Sequence, residues 1–291
     1  MLAVAQPPEE GAFDINELII NYLVDSDKWE FMWWTIYLPQ FEPVQIGPVT
    51  IDFSITKHVL FMLFAALLVA VIIIPSARHA RRERDAGAVH GPKGAANVVE
   101  AFILFLRDEV AKPNVGDHGE RYYPYIITVF FFILMCNLLG LVPWGTSPTA
   151  NISVTAALAI LTFFTVEAAG MRDLGFVQWS KTIFYAPAGT TGVVKYAMLV
   201  IMTPVEFLGK LTKPFALAVR LAANMTAGKA VMLALTGLLT MAALANVLWV
   251  APATVLMAVA ISLLKIFVAF LQAYVFAILS SVFIGLIRHA H

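Results

Sequence analysis

Charge is what this sequence has least of. From Tyr122 to Val166 there is no Asp, Glu, Lys, Arg or His, a run of 45 residues. That length suits two spans of about 20 residues with a turn between them, and a soluble chain has nowhere to bury it. Over the whole chain 13% of residues are charged and 60% hydrophobic, against roughly 25% charged in soluble domains. Net charge is zero, so neither nucleic acid nor an acidic substrate is implied. The single cysteine, Cys136, lies in an apolar run; it excludes an internal disulfide framework and reads as a plain buried thiol. Met1 to Ala12 carry Glu9 and Glu10 and no basic residue, so a cleaved signal peptide is not evident.

The few charges are unevenly placed. Residues 1–53 hold nine acids and one base, Lys28, whereas Arg78, Arg81, Arg82, Arg84 and Lys93 crowd the loop after the first apolar run. The positive-inside rule puts residues 1–53 outside the cytoplasm and this loop within it. A first span is expected from about Ser54 to Ile74, closed by Pro75. Ala95, Val98, Val99, Phe102, Leu106 and Val110 then recur at three and four residues. Their spacing predicts an amphipathic surface helix over about 95–111 on the cytoplasmic face, ended at Pro113. Further spans are expected at about Tyr122 to Val142 and Asn151 to Gly170, and the loop with Arg172, Lys181 and Lys195 is again cytoplasmic. Two long segments follow, about 196–240 and 251–287, parted by an uncharged turn near Asn246. The expectation is an all-α membrane protein with five crossings, 54–291 forming one polytopic domain and the C-terminus in the cytoplasm.

The last two segments are too long to stand upright. Helices of 45 and 35 residues measure about 67 and 52 Å, against a hydrocarbon core of about 30 Å. They must tilt steeply, break, or run partly along the interface, and Pro204 and Pro214 offer bends. A strongly inclined hairpin over about 196–287 is expected. It holds most of the intramembrane polarity: Glu206, Lys213, Arg220 and Asn224 share a helix face within about 80°. Lys229 projects to the opposite face, and Lys265 and Gln272 share one face of the last helix. Lys210 and Lys213 are near enough to the cytoplasmic end to snorkel. Arg220 is not, and a permanent cation at that depth costs about 3 kcal/mol on insertion scales, so it faces protein or water for a purpose.

The run Lys213-Pro-Phe-Ala-Leu-Ala-Val-Arg220-Leu-Ala-Ala-Asn224-Met225-Thr-Ala-Gly228, with Ala269-Phe-Leu-Gln272-Ala-Tyr-Val-Phe276, resembles subunit a of F-type ATP synthases. Ile51-Asp52, Cys136-Asn137-Leu-Leu-Gly140-Leu-Val-Pro143, Thr149-Ala-Asn151-Ile152 and Pro204-Val-Glu206 extend the resemblance over most of the chain. It implies the stator half of an ion motor in a bacterial cytoplasmic (inner) membrane rather than an organellar one. Its partners would be a ring of small hairpin subunits (subunit c), each with one essential carboxylate, the peripheral-stalk subunit b, and indirectly the soluble sector. No cofactor or metal is implied, and no bond chemistry in this chain.

By the same resemblance two offset half-channels reach the ring, and Arg220 stands between them. Glu206 matches an acid of the cytoplasmic half-channel, although an interfacial acid paired with Lys210 is the plainer reading. Asn224 would line the site and Gln272 would face Arg220 from the last helix as a neutral hydrogen-bond partner. Asn137 would face the outer channel, or be a buried amide satisfied by a neighbouring backbone. Asp52 offers another outer polar group. Glu167 is a candidate extra channel acid or a snorkelling one. Many family members carry a Glu and a His where this chain has Lys229 and Lys265. Two ammonium groups in one narrow inlet would repel each other and an incoming proton, so at least one is expected to be neutral part of the time, unless both point into a wet vestibule.

Other functions fit less well. A secondary transporter usually shows paired, related halves, and none is visible. A haem-bearing or other respiratory-chain subunit would need histidines within spans, whereas His58, His79, His90, His118, His289 and His291 all fall at or beyond span ends. An intramembrane hydrolase would need a base near Cys136, and its span has no histidine.

Overall fold

The computed structural model describes residues 28–31, 34–41, 44–46, 49–51, 54–86, 95–116, 118–142, 145–184, 193–244, 249 and 251–288. Asp52, the acids from Glu9 to Asp27, Pro143 and the turn near Asn246 lie outside them. Among the described residues, five helices are long and apolar enough to cross a membrane: Lys57–Arg78, Glu120–Leu139, Ile152–Leu174, Tyr196–Ala242 and Ala251–Arg288. The charge-free run thus becomes two of the five, as its length requires.

The described residues before the first span hold strands that the acidic composition concealed. Strands β1 (Lys28–Phe31) and β2 (Trp34–Tyr37) pair antiparallel, as do β3 (Val44–Ile46) and β4 (Val49–Ile51). Gly47-Pro48 separates two β-branched runs, which is a hairpin signal that the charge count hid. The Trp29 ring meets Phe61 edge-on at 5.6 Å, and Ile55 N–H donates to the Pro39 carbonyl at 3.3 Å. These contacts fix the chain just before α1 (Lys57–Ala86).

Pro75 does not end α1, which continues to Ala86. A proline removes one backbone donor but does not break a helix whose neighbouring turns are satisfied. Ser76 Oγ donates to the Ile72 carbonyl at 2.9 Å within that turn. Pro113 is likewise passed: α2 (Ala95–Phe105) runs into a π-helical turn, Leu106–Ala111, and then α3 (Lys112–Val115). Outside the spans, Arg107 donates to Asp108 at 2.9 and 3.1 Å and holds its carboxyl below the usual range.

After the single turn Glu120–Tyr122 come α4 (Tyr123–Leu139), a short turn of helix at Pro148–Ala150, α5 (Ile152–Leu174) and α6 (Phe176–Lys181). Helix α7 (Val193–Leu244) is unbroken through Pro204 and Pro214, and α8 (Ala251–Arg288) closes the described chain. The bends expected at the prolines therefore do not interrupt α7. At 1.5 Å per residue its 52 residues extend about 78 Å.

The fold forms two compact units interleaved along the sequence. One takes the described parts of Met1–Leu68, Leu134–Asn151 and Ala222–Phe270; the other takes Val69–Ile133, Ile152–Leu221 and Leu271–His291. In the second unit the predicted stripe of α2 divides. Leu106 and Val110 are fully buried while Val98 and Phe102 stay exposed. Phe105 stacks on Tyr274 at 6.1 Å and Ser281 Oγ donates to the Val110 carbonyl at 3.4 Å. Gly285 lies so close to the Asn114 carbonyl that a Cβ there would collide. Arg288 finishes this end, donating to Asp173 and, at 2.6 Å, to the Val115 carbonyl.

Candidate functional site

Arg220 is 27 residues from the start of α7 and 24 from its end, about 40 and 36 Å along the axis. No arginine side chain reaches that far, so snorkelling to a helix end is excluded. Its side chain is exposed, as are those of Glu206, Lys213 and Asn224. The polar stripe thus occupies the uncovered face of α7, while Leu217, Ala218 and Leu221 turn inward. Arg220 makes no ion pair or hydrogen bond with a described residue. Gln272 is only 3% exposed and is engaged within the protein.

In the second unit, a cavity of about 120 Å³ is lined by Glu167, Thr182, Glu206, Lys210, Lys213 and their apolar neighbours. Glu167, 7% exposed, accepts from Trp179 Nε1 at 2.6 Å and pairs with Lys210 Nζ at 3.4 Å. Lys210 also donates to Thr182 Oγ1 at 2.9 Å. The expected i, i+4 partner of Lys210 was Glu206; the buried Glu167 takes that place, because desolvated charges pair where the geometry is tightest. Glu206 is left exposed at the cavity wall.

In the first unit two larger cavities adjoin, of about 400 and 460 Å³, and both are lined by Gly140, Leu141, Lys229 and Lys265. Asn137 and Asn224 line the first; Lys57, Thr146, Thr236 and Ser262 line the second. The two lysines that helical geometry assigned to separate helices therefore meet at one wall. The Lys265 stem lies against Gly228, where an added Cβ would stand 3.2 Å from Cε. Lys229 Nζ donates to Thr146 Oγ1 at 2.9 Å, and that hydroxyl is 3.5 Å from His58 Nε2. Asn137 is 1% exposed: its Nδ2 donates to the Ala269 carbonyl at 3.3 Å and its Oδ1 accepts from Thr149 Oγ1 at 2.6 Å. One amide thus both lines the cavity and ties α4 to the turn before α5 and to α8. No group of three or more His, Cys, Asp or Glu suited to a metal occurs among the described residues.

Residues 59–285 match the family described as ATP synthase A chain. The "ATP synthase subunit a" of Chloroherpeton thalassium is 41% identical over 268 residues, covering 92% of this chain and 75% of that one. "ATP synthase subunit a 2" of Chlorobaculum tepidum is 40% identical, over 93% of this chain and 72% of that one. The subunit a of Myxococcus xanthus is 45% identical over 81% of this chain and 73% of its own. The chain belongs to the ATP synthase subunit a family. It is a multi-pass membrane protein of the ATP synthase membrane sector, with the stator and proton-channel role of that family.

Within this subunit, sequence reading passed over several groups that the site uses. Trp179 and Thr182 sit in a loop read only for its basic charge, yet they orient Glu167 and Lys210. Thr146 and Thr149 lie in the uncharged turn after α4 and supply hydroxyls to Lys229 and Asn137. A signal was present in that turn, Thr146-Ser-Pro-Thr149, which concentrates hydroxyls beside an intramembrane asparagine. His58 was set aside as a span-end residue, but it is 2% exposed.

Proposed function

We propose that Arg220 is the barrier between two offset aqueous half-channels and faces the essential carboxylate of a ring of small subunits. The reading rests on one observation: a permanent cation, without a counterion among the described residues, on the exposed face of a helix about 40 and 36 Å from its two ends. An arginine keeps its proton at any physiological pH, so it can favour an ionised ring carboxylate opposite it without passing a proton itself. Asn224, one turn away, lines the same face. Gln272 is the neutral group that helps shape the wall behind it. Exposed apolar side chains of α7, such as Phe215 and Val219, and, in the other unit, of α8, such as Leu263 and Phe267, suit ring helices and lipid.

A proton from the outer side enters the cavities of Lys229 and Lys265, passes Asn137 and Asn224, and neutralises a ring carboxylate, which can then turn into lipid. After rotation the carboxylate meets the cavity of Glu206 and releases its proton to the cytoplasm, with Glu167 and Lys210 fixing that wall. Asp52 belongs to the outer entrance. The driving force is about 2.3 kcal/mol per charge per 100 mV, which an open water path past Arg220 would dissipate. Residues 54–291 work as one polytopic domain, with 1–53 outside, the 95–111 helix and the C-terminus in the cytoplasm, and subunit b holding the stator to the soluble sector, where ATP forms.

The test is Arg220→Ala in the whole ATP synthase, reconstituted in vesicles. Coupled proton pumping and ATP synthesis should be lost while the complex still assembles, and Arg220→Lys should retain little of either. Pumping at wild-type rate by the alanine variant would refute the reading.

A further inference from the structure

Within the second unit, one helix is gripped on one side and walls a cavity with the other. Tyr274, Ser281, Gly285 and Arg288 fall within about 60° of one another around α8. All four meet the segment 105–115: Tyr274 stacks on Phe105, Ser281 Oγ donates to the Val110 carbonyl, Gly285 lies against the Asn114 carbonyl, and Arg288 donates to the Val115 carbonyl. Phe283, Leu286 and Ile287 lie about 180° round the same helix. Those three line the cavity of about 120 Å³ that holds Glu206 and Lys210. We propose that the surface segment is a positioning element for proton transfer, with Gly285 as its key contact: by fixing α8 from behind, it sets the α8 wall of that cavity.

The wide turn in the segment is what makes one continuous grip. Leu106, Val110, Ala111 and Val115 are all fully buried. In an unbroken α-helix Leu106 and Val115 would stand about 180° apart, on opposite faces. The π turn Leu106–Ala111, in which Lys112 N–H donates to the Arg107 carbonyl five residues back, absorbs one extra residue and turns both ends to the same side. The grip is also stiff. Asn114 Nδ2 donates to the Val110 carbonyl at 2.6 Å, and Arg288 holds the next carbonyl, that of Val115, at 2.6 Å. A Cβ at position 285 would collide with the Asn114 backbone rather than with a side chain that can swing away. Close-packed surfaces yield toward open space, so a methyl there should push α8 by about 1 Å into the cavity.

The positioning role rests on the assignment of this cavity to the cytoplasmic half-channel, so its test uses the assembled synthase in vesicles with each side's pH set separately. ATP-driven pumping, which draws protons from the cytoplasmic side, is measured per assembled complex for wild type, Gly285→Ala, Phe283→Leu, the double variant and Glu206→Gln. Gly285→Ala should slow pumping about fivefold at alkaline cytoplasmic pH and less at acidic cytoplasmic pH, with the dependence on external pH unchanged. Phe283→Leu returns volume to the cavity, so the double variant should recover about half of that loss or more, beyond the sum of the single effects. Deleting Glu109, an exposed residue of the π turn, restores an α turn and carries Asn114 about 100° round the helix. That deletion should reproduce the Gly285→Ala profile, whereas Glu109→Ala should follow wild type. Wild-type pumping by Gly285→Ala or by the deletion, a loss equal at every cytoplasmic pH, or a double variant no better than Gly285→Ala overturns the positioning role. A Gly285→Ala subunit that fails to assemble and is not restored by Phe283→Leu overturns it too, since the glycine would then serve folding alone. If Glu206→Gln also pumps at the wild-type rate, the half-channel assignment itself has failed; if only the Gly285 and Glu109 variants are unchanged, the positioning role alone has.

Discussion

Two polar regions of the subunit solve the problem of intramembrane charge in opposite ways. Around Glu206 the buried charges are matched: Glu167 is held between Trp179 and Lys210, and Lys210 has Thr182 as a second acceptor. Around Lys229 the described lining is not matched by an acid of its own: Lys57, Lys229 and Lys265 line the adjoining cavities together with hydroxyls and amides. A matched set is satisfied by its own geometry, so it fixes a wall and leaves Glu206 as the exposed acid of that cavity. A basic lining favours water and opposes an incoming proton by like charge. The same contrast separates volumes, about 120 Å³ for the matched cavity and about 400 and 460 Å³ for the unmatched pair. Cavities of the larger size have room for the water that solvates ammonium groups.

Substitutions can break the contrast from either side. The largest effect after loss of Arg220 is expected at Glu206, because in the proposed path it exchanges the protons, while the other acid of that cavity, Glu167, is held by Trp179 and Lys210. Glu206→Gln should slow ATP synthesis by about tenfold or more at saturating driving force, with normal assembly. Proton flux through vesicles is the readout, and an unchanged rate would return Glu206 to the status of a surface acid. A smaller, few-fold effect is expected when the unmatched region is given a carboxylate. Lys265→Glu adds an acid to the cavities that Lys229 lines and should be tolerated better than Lys265→Ala, which only empties the Lys265 volume. Synthesis rate against external pH for wild type, Lys229→Ala, Lys265→Ala and Lys265→Glu separates these cases. Four superimposable profiles would mean the lysines are solvated bystanders.

How far the sequence could be read follows from the reach of its signals. Span number came through because hydrophobic length is a strong local signal, and for the last span so did the limits: Ala251–Arg288 was expected to within a residue. Two prolines were over-read as stops: Pro75 and Pro113 lie inside helical structure, since one missing donor is a small term beside a helix packed or embedded along its length. Helical periodicity placed Glu206, Lys213, Arg220 and Asn224 on one face, but it could not say how far that face extends. Leu217 and Met225, near neighbours of the stripe in sequence, are 3% and 8% exposed and so cannot report on a partner; Ala216 and Ala223 are exposed. Pairings over long sequence distance were not legible at all. Nothing local joins Glu167 to Trp179 and Lys210, or His58 to Thr146, because each depends on how separate helices come together.

The smallest expected effect sharpens the matched region. If Glu167 fixes the wall rather than carrying protons, Glu167→Gln should cost stability more than rate. The amide oxygen can still accept from Trp179 Nε1, but the charge that compensates Lys210 is gone, and a hydrogen bond to a charged group contributes about 2 kcal/mol. Thr182 remains as an acceptor for Lys210, which limits the loss. Trp179→Phe removes one donor to Glu167 and leaves the ion pair, so its cost should be about 1 kcal/mol. Thermal denaturation of the purified synthase in detergent orders the variants, wild type above Trp179→Phe above Glu167→Gln, while pumping per assembled complex stays within about twofold of wild type. A Glu167→Gln variant that keeps its melting temperature but loses pumping would reverse the assignment. It would make Glu167 a second exchanging acid beside Glu206, and the matched and unmatched regions would then differ in their number of carriers rather than in how their charges are held.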